Sequence, residues 1–360
     1  MNKDCDKTMS EVNGGRFVVD LGGTRVRSGY VSADGEVLAT SFRSEKIAPT
    51  VSTRRDLCDL LVEKMMGPVA GQEKFVVSVA GPVSPDHRVV RRYTNVLCGD
   101  ANIPLAEMIE QAVHQRTGKA VQVFVIKDAV AATMAEMGPR GSASDRSEVI
   151  AIILGTGTGG APCRRGAGNE VVLLDSLADL GHYQVDVQST EPCNCGSRGC
   201  VERQTSGVAV ARSANRRASE AELYGRSCLH AILGRKPGEI TGEDIAWAAA
   251  RKDEFTVEVL RGAARPLAVL LRCIFTSHPD ITVVFVGGFA LGVGEVLLDL
   301  VRVELMETGV PFIDRRNLES FLQTAILLGS VPPEETNLVG ARLFLLQEEK
   351  CKEHPCLPGQ

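Results

Sequence analysis

Three apolar segments of the chain each end in a glycine-rich turn, and this repeat limits the possible folds more than any other feature. The segments are "VVDLGGT", "IILGTGTGG" and "VVFVGG". In each, a run of strand length passes directly into glycines, which is typical of a buried strand that ends at a tight turn. Because helical segments alternate with these strands, the pattern predicts an α/β fold with two βαβ-rich halves around a shared cleft.

Hydrophobic periodicity assigns most of the remaining secondary structure. The segment "RVRSGYVSADGEVLAT" alternates apolar and polar residues around Asp34-Gly35 and predicts a β-hairpin. "PLAEMIEQAVHQRTG" predicts a helix that begins after Pro104 and ends before Gly118. "VQVFVIKDAVAATMAEMG" predicts a strand that passes into a helix at Asp128, and "NLVGARLFLLQEEK" predicts a last helix.

Length and composition restrict the class of protein. The chain has 360 residues, of which 44% are hydrophobic and 24% charged, so a globular protein of two domains is expected. The net charge of −5, the absence of a basic stripe and the 4% aromatic content disfavour a nucleic-acid partner. The first residues, "MNKDCDKTMSEVNGG", lack the apolar core of a signal peptide, and glycines interrupt the most apolar stretch. We therefore expect a cytoplasmic protein that does not enter the membrane.

The glycine turns are candidate phosphate-binding loops, because glycine lets backbone N–H groups approach a phosphate without hindrance from a Cβ. "DLGGT" is followed by a predicted hairpin rather than a helix, which excludes a Rossmann fingerprint, and no Walker A motif is present. Each turn alone is compatible with a purely structural role, but three at matching strand ends favour nucleotide binding. The residues expected at the nucleotide are Gly22, Gly23, Thr24, Gly155, Thr156, Gly157, Thr158, Gly287 and Gly288.

Asp128 is the candidate catalytic carboxylate. It follows the apolar run "VQVFVI" and stands where a helix is predicted to begin. A carboxylate at a helix start is commonly an N-cap. A carboxylate at the end of a strand beside a phosphate site can instead accept the proton of an attacking hydroxyl. Position alone leaves both roles open, and the residue type alone favours the cap.

The segment "LGHYQVDVQSTEPCNCGSRGC" places one histidine and three cysteines close together in a polar loop. His182, Cys193, Cys195 and Cys200 would form a complete tetrahedral zinc shell with no open position, which is typical of a structural site. A disulfide or a chance cluster is a weaker interpretation, because the chain lacks an export signal and the spacing is specific. The other eight cysteines are scattered and predict reduced thiols.

Taken together, these motifs resemble the ROK family of sugar kinases, which includes bacterial glucokinases and N-acetylmannosamine kinases. The resemblance covers residues from about 16 to 347 and rests on "DLGGTRVR", "GPV...TNV...PL", "LGTGTGG", Asp128 and the cysteine loop. It implies an actin-like, ribonuclease H-like ATPase fold, in which two α/β domains flank an active-site cleft and the larger domain carries the zinc loop. It also implies ATP, Mg²⁺ and structural Zn²⁺, a small-molecule sugar substrate, and a homodimer.

The resemblance also assigns residues and boundaries. Asp128 is implied as the general base that activates a hydroxyl of the sugar, and Gly288 as a nucleotide contact. The sugar contacts implied are Gly81, Asn95, Lys127, Asp179, His182 and Glu202. The expected segments are a flexible 1–15, a first domain of 16–127 plus about 335–348, a second domain of 128–334, and a flexible tail of 349–360. The tail contains Cys351, His354 and Cys356, which are too few ligands for a second zinc site.

The chain departs from the family pattern at two substrate positions. Asp179 stands where the family has a glutamate before Leu180-Gly181-His182, and Lys127 replaces the family's asparagine before the catalytic aspartate. A shorter carboxylate and a cationic donor change the sugar contacts while the phosphate turns remain. We therefore expect an amino sugar, an N-acyl sugar or a C7-cyclitol rather than plain glucose; a glucokinase is the alternative.

Other functions are less consistent with the sequence. A transcriptional repressor of the same family would need a winged helix-turn-helix module, and only nineteen residues precede Asp20. A sugar sensor without catalysis is disfavoured because Asp128 and both phosphate turns are retained. A structural filament protein would have no use for the zinc loop or for Glu202.

Overall fold

The computed structural model describes residues 14–92, 101–174, 179–220 and 222–353. The strands are β1 (Arg16–Leu21), β2 (Arg25–Val31), β3 (Arg43–Lys46), β4 (Lys74–Val79), β5 (Val90–Arg92), β6 (Ala101–Ile103), β7 (Gln122–Lys127), β8 (Glu148–Leu154), β9 (Thr158–Arg165), β10 (Val171–Leu173), β11 (Thr282–Val286) and β12 (Ile326–Leu328). The α-helices are α1 (Arg54–Met65), α2 (Leu105–Thr117), α3 (Asp128–Met137), α4 (Glu202–Thr205), α5 (Gly207–Ala218), α6 (Cys228–Ala231), α7 (Gly242–Ala249), α8 (Glu254–Ser277), α9 (Gly288–Val293), α10 (Glu295–Thr308), α11 (Arg315–Ala325) and α12 (Thr336–Glu353). Short 3₁₀ helices occupy Pro68–Ala70, Leu180–His182 and Glu222–Arg226.

The chain divides into two compact units. The first contains the residues up to 144, residues 166–171 and the segment from 334 onward, and the second contains 145–165 and 172–333. The sequence-based division begins the second domain at Asp128, whereas the division found in the structure leaves α3 in the first unit. The last helix, α12, continues to Glu353, beyond the expected start of the flexible tail. Cys351 lies in this helix, and His354 and Cys356 lie outside the described residues.

The first unit is built on a five-stranded sheet in the order β3-β2-β1-β4-β7. β1 pairs antiparallel with β2 and parallel with β4, and β4 pairs parallel with β7. The three parallel strands are near-continuous apolar runs, as expected for strands that are covered on both faces. Alternate residues such as Val19, Val77 and Val125 join the buried cluster formed with α1 and α2.

The opposite face of this sheet is covered by α3 and α12, which pack closely against each other. Gly340 of α12 makes this possible, because a Cβ there would lie 1.8 Å from the carbonyl oxygen of Ala131 in α3. A Cβ on Gly138 would likewise lie 2.5 Å from the Leu343 side chain. The close contact explains why α3 belongs to the first unit together with the C-terminal helix.

Most predicted elements of this unit are confirmed, but the hairpin is only partly correct. α2 begins after Pro104 and ends at Gly118, whose φ of +70° gives the left-handed helix end favoured by glycine. The turn at Gly35 forms, yet the returning segment makes only an isolated bridge between Val31 and Val37. The antiparallel partner of β2 on that side is β3. The Tyr30 N–H donates to the Ser41 hydroxyl at 2.9 Å, and this bond ends the backbone pairing of the turn segment at Tyr30.

The second unit repeats this strand arrangement with the order β10-β9-β8-β11-β12. β8 pairs antiparallel with β9 and parallel with β11, and β11 pairs parallel with β12. Helices α5 and α7 to α11 contribute to one large buried cluster on this sheet. The predicted α/β repeat is therefore confirmed by two sheets with the same central pattern. Among the described residues, no helix combines the length and apolar character needed to cross a lipid bilayer.

Candidate active site and metal centre

Three predicted site segments of the first unit lie side by side at one edge of its sheet. Leu21 of β1 pairs with Val79 of β4, and Val79 pairs with Lys127 of β7. The strands are parallel, so their carboxyl ends meet at this edge, where ligands of α/β sheets characteristically bind. The predicted site residues that follow these three strand ends are Gly22, Gly23, Thr24, Gly81 and Asp128. Two strand spacings of about 4.8 Å separate β1 from β7, which places the glycine turn about 10 Å from Asp128.

The turn after β1 is tight and accessible. The Gly22 N–H donates to the Arg25 carbonyl at 2.9 Å, and a Cβ on Gly22 would lie only 3.2 Å from that oxygen. Gly22 and Gly23 are half-buried, and Thr24 is exposed. The turn therefore presents backbone and one hydroxyl to an incoming ligand, as the phosphate-binding prediction requires.

Asp20 is a buried carboxylate close to the glycine turn that the sequence-based site list omits. Its carboxylate is buried; Oδ2 accepts from Arg27 Nη1 and Oδ1 from Asn337 Nδ2, both at 3.0 Å. Burial raises the pKa of Asp20, and the Arg27 guanidinium and the Asn337 amide offset part of the increase. The signal was the carboxylate near the end of the otherwise apolar strand, two residues before Gly22.

Asp128 is the first residue of α3, and Lys127 takes the N-cap position without a side-chain capping bond. The Asp128 Oδ1 accepts the N–H of Ala129 at 2.7 Å. The Asp128 carboxylate therefore bonds to a first-turn N–H from the first helical position rather than from the N-cap position. The carboxylate stands at the positive end of a helix and at the carboxyl end of β7, where a negative charge is stabilised.

The four predicted zinc ligands come together in the second unit. Their ligand atoms all lie within 4.8 Å of one another. Cys193 Sγ is 3.6 Å from His182 Nδ1, and Cys195 Sγ is 3.7 Å from Cys200 Sγ. Tetrahedral zinc with Zn–S bonds of about 2.3 Å and a Zn–N bond of about 2.0 Å places neighbouring ligands about 3.5–3.8 Å apart. The four side chains therefore fit a closed zinc shell, and the sulfur separation is too long for a disulfide.

Glycine and backbone hydrogen bonds shape this loop. Gly199 has φ +71°, and a Cβ there would lie 2.0 Å from the Asp186 carbonyl oxygen. The Val185 N–H donates to the Gly199 carbonyl at 3.0 Å, and the Cys193 N–H donates to the Ser197 carbonyl at 2.8 Å. The chain can therefore fold back on itself and bring distant ligands together.

The crowded thiols of the cluster have pKa values that are shifted in opposite directions. Burial, with its neighbouring thiols, raises the pKa of Cys200 to about 12. Burial also acts on Cys195, but hydrogen bonds from the Ser197 N–H and the neighbouring thiols outweigh it and lower the pKa. Thiolates are the metal-ligating form, so zinc binding must release protons from this cluster.

Glu202 connects the zinc loop to the glycine turn after β8. Its Oε2 accepts the N–H of Thr158 at 3.1 Å, and its Oε1 lies 4.0 Å from Cys193 Sγ. A Cβ on Gly157 would lie 2.7 Å from Oε2, so glycine is needed for this approach. Sequence reasoning missed the bond because Thr158 and Glu202 are 44 positions apart.

The two glycine turns of the second unit also share one sheet edge. Ile153 of β8 pairs with Val286 of β11, so the turns that follow both strands are neighbours. Gly287 has φ +95°, and a Cβ there would lie 2.7 Å from the Leu154 carbonyl oxygen. The predicted nucleotide residues of this unit that lie in or next to these turns are Gly155, Thr156, Gly157, Thr158 and Gly288.

The remaining predicted sugar contacts have different positions. Asp179 adopts a left-handed conformation, and its carbonyl accepts the His182 N–H at 2.9 Å. His182 is exposed, and its Nδ1 faces the cysteines. Gly181 lies against the turn after β8, since a Cβ there would lie 1.8 Å from the Thr158 carbonyl oxygen. Asn95 lies outside the described residues.

Comparison with known proteins places this geometry in a family. The model of the ROK family matches residues 16–309. The chain belongs to the ROK family. The family resemblance and the α/β fold inferred from the sequence are confirmed.

Two curated relatives of this ROK chain are named as kinases. A C(7)-cyclitol 7-kinase of Streptomyces hygroscopicus subsp. limoneus is 30% identical over 81% of this chain and 84% of its own length. The glucokinase of Thermotoga maritima is 28% identical over 90% of this chain and 94% of its own length. A solved ROK family glucokinase from Streptomyces griseus, in complex with glucose and AMPPNP, superposes with a TM-score of 0.72. It is 26% identical and covers 92% of this chain and 99% of its own. These relatives confirm the expectation of a phosphotransferase of the ROK type.

Proposed function

We propose that the protein is an ATP-dependent kinase that phosphorylates a hydroxyl, the primary one, of a hexose or hexose-like substrate. The observation that supports it most is the register of β1, β4 and β7, which aligns the glycine turn and Asp128 at one sheet edge. A gap of about 10 Å between them accommodates a substrate hydroxyl next to Asp128 and a terminal phosphate at the turn.

The proposed step is an in-line transfer with Asp128 as general base. The substrate hydroxyl oxygen forms a bond to the γ-phosphorus of ATP, and the bond to the β,γ-bridging oxygen breaks, leaving its electron pair on ADP. The hydroxyl proton moves to the Asp128 carboxylate. The Gly23 N–H and the Thr24 hydroxyl are the proposed hydrogen-bond donors to the transferred phosphoryl group, and Gly22 shapes the turn through its bond to the Arg25 carbonyl.

Mg²⁺, which accompanies ATP in such reactions, has a suitable ligand here. Mg²⁺ prefers carboxylate oxygens and retains several waters. Asp20 supplies a carboxylate two residues before Gly22 of the glycine turn. When bound, Mg²⁺ would neutralise phosphate charge, and Asp20 is the residue of this chain that would hold the ion.

The second unit contributes the remaining proposed contacts. We assign the turns containing Gly155, Thr156, Gly157 and Gly288 to the nucleotide. His182 and Glu202 are proposed sugar contacts, and zinc at the four ligands would fix the loop that carries them. Glu202 supports this role because its carboxylate also bonds to Thr158 in the nucleotide turn. The homodimer implied by the family resemblance stays a prediction.

We propose that the substrate is an amino sugar, an N-acyl sugar or a C7-cyclitol. Lys127 and Asp179 depart from the usual family residues beside the proposed site, and one relative is named a C(7)-cyclitol 7-kinase. A glucokinase is the second candidate, supported by the relatives that are named glucokinases.

Replacement of the proposed base tests the mechanism. We expect Asp128→Asn to lower kcat by about 10²–10⁴-fold, the usual contribution of general base catalysis, with little change in the KM for ATP. Coupled ADP release measures both constants. The exposed Asp145→Asn is the control and should retain wild-type turnover. Turnover that does not depend on Asp128 with any sugar would overturn the proposed mechanism.

A substrate panel tests the proposed specificity. We expect kcat/KM to be higher for an amino sugar, an N-acyl sugar or a C7-cyclitol than for glucose. We also expect Lys127→Asn combined with Asp179→Glu to move this ratio toward glucose, because the two changes restore the usual family residues. Glucose as clearly the best substrate of the wild type would contradict the proposal.

A further inference from the structure

A cavity of about 270 Å³ lies in the second unit beside the zinc loop. Its walls come from the loop segment 186–191, from α4 and α5, and from α8. The volume is slightly below the range of about 300–1,000 Å³ that is usual for small-molecule pockets. None of the proposed nucleotide or sugar contacts lines it.

The walls of the cavity carry an excess of positive charge. Four arginines line it, against the two carboxylates Asp186 and Glu191, so the formal charge of the lining is +2. The arginines are Arg203, Arg212, Arg216 and Arg217. Planar guanidinium groups bind phosphate and carboxylate oxygens in pairs, and a small cavity rich in them favours a compact anion.

Glu191 occupies two of these guanidinium groups. Its Oε1 accepts from Arg203 Nη2 at 2.9 Å and from Arg212 Nη2 at 2.7 Å. Arg212 Nη2 also donates to the Arg203 carbonyl oxygen at 2.9 Å, which fixes its position. Two arginines are therefore already arranged around one oxygen anion, so little side-chain entropy remains to be lost when a ligand binds.

Arg216 supplies a cavity donor without an anionic partner in the residues that the structure describes. The Gln204 Nε2 and the Arg203 Nε also lack a hydrogen-bond partner among the described residues, but both atoms are fully buried and have no surface on the cavity. The exposed Arg216 makes no ion pair within the described part of the chain. A guanidinium without an anionic partner can donate charge-assisted hydrogen bonds to an anion that has several acceptor oxygens.

We infer that this cavity binds a phosphate monoester dianion. The double negative charge matches the +2 lining, and the phosphate oxygens supply acceptors for the exposed guanidinium of Arg216. Two residues that line the cavity are close in sequence to residues of the zinc loop and the proposed sugar site. Arg203 directly follows Glu202, and Glu191 precedes Cys193 by two residues. Phosphate monoesters are also the product class of the proposed kinase, and this link alone rests on the proposed function.

Calorimetric titration at constant ionic strength tests the site, with inorganic phosphate and glycerol 3-phosphate as probes and glycerol as the neutral comparison. We expect saturable binding of both anions and none of glycerol. Arg216→Gln should weaken binding about tenfold, the effect of one charge-assisted hydrogen bond. Glu191→Gln should strengthen it, because it removes the anion that competes for two arginines.

Arg226→Gln is the matched control, because Arg226 is equally exposed in the same unit and lies outside the cavity. It should bind both probes like the wild type. Unchanged affinity in both Arg216→Gln and Glu191→Gln, or equal weakening in Arg226→Gln, would overturn the inference. Asp128→Asn should still bind phosphate in the cavity, so failure of the proposed kinase function is distinguishable from failure of this site.

Discussion

At the scale of single residues, the protein keeps buried charge where the proposed chemistry needs it. Asp20 is held between Arg27 and Asn337 although an isolated buried carboxylate would be strongly unfavourable. Glu202 is held by the Thr158 N–H beside the zinc ligands. A buried ion pair that serves stability alone can often be replaced by apolar residues with little change in the free energy of unfolding. Charged side chains beside two glycine turns therefore support a role in ligand binding.

The pH dependence of stability tests the state of Asp20. Burial raises its pKa, so the folded state binds the proton more tightly than the unfolded state. The free energy of unfolding should therefore fall as pH rises from the ordinary aspartate pKa through the raised value. Asp20→Asn should lack this component, and urea unfolding of both proteins across pH measures the difference.

Asp34→Asn supplies a control of opposite sign. The Ser32 hydroxyl lowers the pKa of Asp34, so its contribution to stability is present above the ordinary aspartate pKa and is lost as pH falls through the lowered value. A difference between wild type and Asp20→Asn that does not change with pH would show that burial leaves Asp20 unaffected.

At the scale of elements, strand register and helix contact position the site. The alignment of three strand ends places Asp128 near the glycine turn, and the contact of α3 with α12 supports the start of the helix that carries Asp128. α12 also brings Asn337 to Asp20, across 317 positions of sequence. The C-terminal helix is therefore part of the support of the site.

Gly340→Ala tests the helix contact. The added Cβ would lie 1.8 Å from the Ala131 carbonyl oxygen, so the helices must move apart. We expect the free energy of unfolding to fall by about 1–3 kcal/mol or more, as for overpacked cores. Gly71→Ala is the control, because a Cβ there has no atom within 4 Å and should change stability little. Equal stability of the two variants in urea unfolding would contradict the packing explanation.

At the scale of the whole molecule, two units with the same strand arrangement differ in what they carry. The first unit supplies Asp20 and Asp128, and the second unit alone holds the cluster of four zinc ligands found in the described part of the chain. Each unit has its own buried core. Removal of zinc should therefore affect the second unit more than the first.

Zinc removal or Cys200→Ser tests this. We expect one zinc per wild-type chain by elemental analysis, and a fall in Tm of about 5–10 °C on removal, which corresponds to about 2–3 kcal/mol for a unit of this size. Hydrogen exchange should increase in the segments next to the loop, including β9 and α4. Cys273→Ser, at an exposed thiol outside the cluster, is the control. Exchange that increases equally in β1 and β4 would contradict a local role.

The sequence by itself determined the elements whose causes are local. Glycine turns after apolar strands, the helix between Pro104 and Gly118, and the four zinc ligands all depend on neighbouring residues and short spacings, which a single chain displays directly. The hairpin at Asp34-Gly35 was misjudged because alternation and a turn dipeptide do not reveal that Ser41 takes the Tyr30 N–H.

Only the tertiary structure decided which distant groups meet. The register that aligns Gly22 with Asp128, the bond of Asn337 to Asp20 and the bond of Thr158 to Glu202 join residues far apart in sequence. The arginine cavity likewise gathers side chains from a loop and three helices. Such contacts depend on how whole helices and strands pack and become buried. The contributions of this packing to the free energy of folding leave no periodic pattern in the amino-acid sequence.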